Sequence, residues 1–94
     1  MKGGTPQEFI DGLAYGMERE FTYRGRTFLV QGYVEADHLW TATLDQIEPF
    51  AEDWSIWRHR APTMDECLEA FLTAPLFDGR TFWEAEGEME LLYS

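Results

Sequence analysis

The chain has one cysteine, one lysine and no asparagine, and it has no long apolar run. Each shortage excludes something. A lone cysteine, Cys67, makes no internal disulfide, so this is not a disulfide-stapled scaffold, and a reducing compartment is the expected setting. No stretch approaches the ~18 apolar residues of a membrane span. Residues 1–6 carry no apolar signal-peptide core. The cytoplasm is therefore the expected location, with no membrane partner. Positive charge is also scarce: 7 Lys and Arg stand against 18 Asp and Glu, a net charge of -11. Such a surface repels phosphate backbones and anionic membranes. No direct contact with nucleic acid is expected, and a basic protein surface is the natural complement.

What the chain does have is aromatic and apolar mass. Aromatics make up 16% of it and hydrophobic residues 45%. A domain this short buries only roughly 60–65% of its unfolded surface, so its core must be dense. Aromatic side chains bury about 150–250 Å² each and supply that density. This composition belongs to a folded protein and not to an acidic disordered tail. The expectation is one domain over residues 1–94, with residues 1–5 a flexible end.

Three Thr-x-x-Glu strings mark helix starts: Thr5 with Glu8, Thr63 with Glu66, and Thr81 with Glu84. After the first, Phe9, Leu13 and Met17 recur at helical spacing. After the second, Met64, Cys67, Leu68 and Phe71 form the clearest apolar stripe in the chain. The third suggests a short helix, with an edge strand over residues 88–93. Between the first two helices, residues 21–23, 27–34, 38–44 and 54–60 read as strands. Arg24 and Gly25 read as a two-residue hairpin turn. The fold expected is α+β: an antiparallel sheet of about four strands with two helices packed on one face.

The strings Glu20 to Phe28 and Val30 to Tyr33 resemble a group of small, acidic, uncharacterised proteins from gut-type bacteria and their mobile elements. Asp65 to Phe71 and Phe77 to Glu84 share the resemblance. It implies a small α+β fold built on a tight hairpin, a capped helix and a turn, and it transfers no catalytic residue.

No candidate chemistry outweighs its plainer explanation. Cys67 as nucleophile needs a thiolate beside His38 or His59, yet it sits in the apolar stripe of a helix, where a buried core residue is the better reading. The two histidines lack His-x-His or His-x₃-His spacing, and the acidic loop lacks the calcium-loop pattern. No catalytic, cofactor-binding or metal-binding residue is therefore assigned. Arg24, Arg26, Arg58 and Arg60 are the main basic grouping, expected to be paired with acids.

The acids are the informative feature. Asp45, Glu48, Glu52 and Asp53 form one cluster, and Glu84, Glu86, Glu88 and Glu90 form another at every second position. If residues 86–90 are extended, successive members lie ~6.6 Å apart on one face, about two phosphate rises along a DNA strand. These eight residues are the candidate partner-binding set. Trp40, Trp54, Trp57 and Trp83 add potential interface anchors. The expected function is a non-enzymatic acidic protein-binding domain, with an inhibitor that mimics nucleic acid, of the anti-CRISPR or mobile-element kind, as one concrete version. The partner would be a basic protein surface, such as a nucleic-acid-binding protein or effector complex. Two alternatives stand beside it: a structural or regulatory interaction module, homodimeric through its aromatic area, and a small enzyme.

Overall fold

In the computed structural model, which describes residues 1–93, helix α1 (Pro6–Ala14) starts where Thr5 accepts a hydrogen bond on its side chain from the Glu8 N–H at 3.1 Å. Ser94, the last position of the expected domain, lies outside the described residues. Gly16, at φ 79°, stops the helix. Its N–H donates to the Leu13 carbonyl and the Met17 N–H donates to the Gly12 carbonyl, the paired bonds of a Schellman end. Met17 therefore leaves the helical stripe and is exposed, although the sequence spacing placed it in the core.

Strands β1 (Arg19–Tyr23) and β2 (Arg26–Val34) form a hairpin. Arg24 and Gly25 turn it at φ 48° and 77°, the left-handed pair that matches strand twist. Strand β3 (Trp40–Glu48) begins two residues later than expected, because His38 adopts φ 65° in the β2–β3 turn. It also runs on to Glu48, which pairs with Thr27 beyond a bulge, where the sequence suggested a loop from residue 45. Strand β4 (Ser55–Ala61) follows, then α2 (Met64–Thr73), held by a complete Thr63–Glu66 capping box. A second left-handed turn, Asp78 and Gly79, leads to a short capped helix, α3 (Phe82–Ala85). After one 3₁₀ turn the chain ends in β5 (Met89–Tyr93).

The fold is α+β, and the sheet has five strands in the order β4-β3-β2-β1-β5, every neighbouring pair antiparallel. Phe21, Phe28, Val30 and Leu44 alternate onto one side and meet Phe9, Leu13, Cys67 and Phe71 from the helices in a single core. Phe77 is its hub: it lies 5.6–6.1 Å, ring centre to ring centre, from Phe21, Tyr23, Phe28 and Phe71. Such offset and edge-on aromatic pairs add to the stabilisation from area alone.

The two sheet edges differ. On the outer side of β5, Lys2 donates its N–H to the Met89 carbonyl and accepts from the Leu91 N–H at 2.8 Å. Lys2, within the stretch expected as a loose end, is thus paired on that edge, and Met1 packs against the core. Along β4 no described segment pairs beyond it.

Candidate functional site

The first of the two acid clusters is assembled by the β3–β4 hairpin. Asp45 lies inside β3, opposite Leu29 on one side and Ser55 on the other. It is half-buried, and that burial pushes its carboxyl above the usual range. Glu48, Glu52 and Asp53 stand at the far end of the hairpin and are exposed. None of the three has an ion-pair partner among the described residues. Beside them Phe50 is 81% exposed and Trp54 48% exposed, with Ile47 and Ile56 also open to solvent. The connection is short and fixed at its base: Gln46 accepts the strand register by donating its N–H to the Trp54 carbonyl at 2.7 Å, and its side-chain amide donates to the Pro49 carbonyl at 2.8 Å. Large apolar rings and unneutralised carboxylates thus share one projecting end.

The second cluster is not a row. Residues 82–88 are helical, so the alternation of Glu84, Glu86, Glu88 and Glu90 does not place them on one face of a strand. Glu84 is spent on the cap of α3, where the Thr81 N–H donates to it at 2.9 Å; that bond, with the Thr81 hydroxyl, holds its carboxyl below the usual range. Glu86 lies 2.8 Å from the Met1 ammonium. Glu88 accepts two bonds from Arg24, at 2.9 and 3.0 Å, and another from Arg80. Those arginines lower its pKa to about 2. Only Glu90 lies in β5, opposite Thr22.

The arginines are paired, as the excess of acid implies. Arg24 and Arg26 both reach Asp78, so the two left-handed turns are locked together. Arg26 also lies over the Phe28 ring, 5.4 Å from its centre. On the sheet face away from the helices, Arg58 and Arg60 both pair with Glu35, and Arg60 also bonds Asp37. Glu35 accepts from the Thr41 hydroxyl at 2.9 Å; that bond, with the two arginines, lowers its pKa. Arg19 is the exception: it is buried, donates to the Glu8 carbonyl at 2.8 Å, and makes no ion pair among the described residues.

Cys67 is fully buried, and burial pushes its thiol pKa up, the reverse of what a nucleophile needs. Among the described residues no group of three or more His, Cys, Asp or Glu side chains is placed to hold a metal ion. Of the four tryptophans, Trp40 and Trp57 are half-buried against the core while Trp54 and Trp83 are exposed. The sequence reading missed Phe50 as a surface residue; its position between Pro49 and the acids Glu52 and Asp53 was the available signal. No known family matches the chain, and neither does any curated protein or solved structure. No helix is long and apolar enough to cross a membrane.

Proposed function

We propose that this chain is a non-enzymatic protein-binding domain that docks the end of its β3–β4 hairpin on a basic protein surface. One observation carries the reading: Glu48, Glu52 and Asp53, unpaired, flank the exposed rings of Phe50 and Trp54. Exposed aromatic area supplies the energetic anchor of an interface. Free negative charge beside it selects a basic partner and speeds encounter. A cytoplasmic setting is in keeping with the single buried thiol.

The concrete version is an inhibitor of a nucleic-acid-binding effector, of the kind mobile elements carry, that occupies the groove meant for phosphates. In that version the hairpin end does the imitating. Glu86 and Glu88 are already neutralised by the Met1 ammonium and by Arg24 and Arg80.

The test uses immobilised nucleases and other purified basic nucleic-acid-binding proteins, probed at rising salt. Binding should weaken steeply with salt and be lost in the triple variant Glu48→Lys, Glu52→Lys, Asp53→Lys, whose fold should be unchanged. Affinity indifferent to salt, or undiminished in the triple variant, overturns the proposal.

A further inference from the structure

We infer that β4 accepts an extended basic segment of the partner as an added strand; the choice of a basic partner rests on the function proposed above. The strand order leaves β4 at one edge of the sheet, while Lys2 occupies the outer hydrogen-bonding groups of β5 at the other. In an edge strand, alternate residues direct their N–H and C=O groups outward, where a further strand can take them. The bulge between β3 and β4 is confined to the start of the pair, and from Trp57 to Ala61 the register is regular. No proline interrupts the strand.

Natural sheets guard such an edge with charge. Here Arg58 and Arg60 are the guards, and both are drawn over the sheet face onto Glu35, which itself lies against Thr41 of β3. The pull is inward, away from the edge, and the charges are neutralised. The edge is thereby left open to pairing.

Charge decides the occupant. A second copy would bring another net charge of -11 alongside the first. A segment rich in Lys or Arg meets the opposite field, and its leading end runs onto Glu48, Glu52 and Asp53 at the hairpin end beside the start of β4. Main-chain bonds would supply register-independent affinity and the hairpin acids the selectivity.

The probe is a synthetic peptide of about ten residues alternating Val with Arg, long enough to pair along the whole strand. A control peptide of the same sequence is N-methylated at every backbone amide; with no N–H to donate, it cannot form a ladder. Residue-resolved amide exchange of the full chain is measured with each. The alternating peptide should slow exchange of β4 amides that are open in the free protein, at least about tenfold, and should bind at least about tenfold more tightly than the control. Equal binding of the two peptides, or protection confined to residues 48–54, overturns strand addition and leaves docking by the hairpin end standing. Salt-indifferent binding of whole basic proteins, with β4 protection by the peptide intact, strikes docking by the hairpin end and leaves strand addition standing. A dimer by light scattering with β4 amides protected in the absence of peptide overturns the choice of a basic occupant.

Discussion

The guanidinium of Arg24 grips the carboxylate of Glu88 through two bonds, at 2.9 and 3.0 Å, across 64 residues of chain. It fastens the first hairpin turn to the segment that leads into the last strand. Glu88, with an ordinary pKa of 4.5, is held at about 2 by Arg24 and Arg80. A carboxyl depressed on folding adds stability that is complete above its unfolded pKa and is lost as pH falls through its folded one. The contribution of Glu88 should therefore fade between about pH 4.5 and 2. Glu88→Gln should lower stability to denaturant at neutral pH, and its deficit against the parent should vanish near pH 2. An equal deficit across that range would falsify the pairing.

Gly12 has its own tight relationship. A Cβ at this position would run into the Arg19 guanidinium, which lies against α1 to reach the Glu8 carbonyl. Gly12→Ala gains helix propensity, by up to about 1 kcal/mol. It must also displace the end of the Arg19 side chain and its bond to the Glu8 carbonyl, and that cost of about 1–3 kcal/mol should exceed the gain. The net loss, read by urea unfolding, should turn to a gain in an Arg19→Ala background.

Phe77 is fully buried between four other aromatic rings. Phe77→Ala should cost ~3–5 kcal/mol, and Phe77→Leu markedly less. Thermal unfolding of the two variants gives the comparison, at roughly 4–8 °C per kcal/mol for a domain of this size.

Cys67 should be silent toward a thiol reagent in the native protein and should react at once in denaturant, since it is fully buried and its pKa is raised. Its reaction rate under native conditions then measures opening of the α2 region. Rapid modification without unfolding would contradict the burial.

At the hairpin end, Phe50→Ser and Trp54→Ser remove exposed rings and should leave unfolding unchanged within about 0.5 kcal/mol. Binding to whichever basic protein responds to the acidic triple variant should fall by at least about tenfold. A loss of stability in place of a loss of binding would make these rings structural.

Local signals were legible in the sequence. Thr63 and Thr81 cap their helices through Glu66 and Glu84, and Arg24 with Gly25 turns the first hairpin, because each depends on residues three or fewer apart. The stripe through Cys67 and Phe71 faces the core for the same reason. Met17 was misplaced because the Gly16 turn, and not the apolar spacing, ends α1. The short helix after Thr81 and the strand that ends the chain were both legible, but the row expected if residues 86–90 were extended does not form, because a 3₁₀ turn continues from α3 through Glu88. The neutralisation of Glu88 and the central place of Phe77 depend on partners distant in the chain, and no local pattern encodes those.

β1 has β2 on one side and β5 on the other. During synthesis the first neighbour follows within a few residues, whereas the second is made last of all the elements. Until then Tyr23 lacks its neighbour Met89, Phe21 lacks its neighbour Leu91, and one whole side of β1 is unpaired. A chain cut off before β5 would therefore expose an unpaired side of β1, and it should be cleaved by protease more readily than the whole chain.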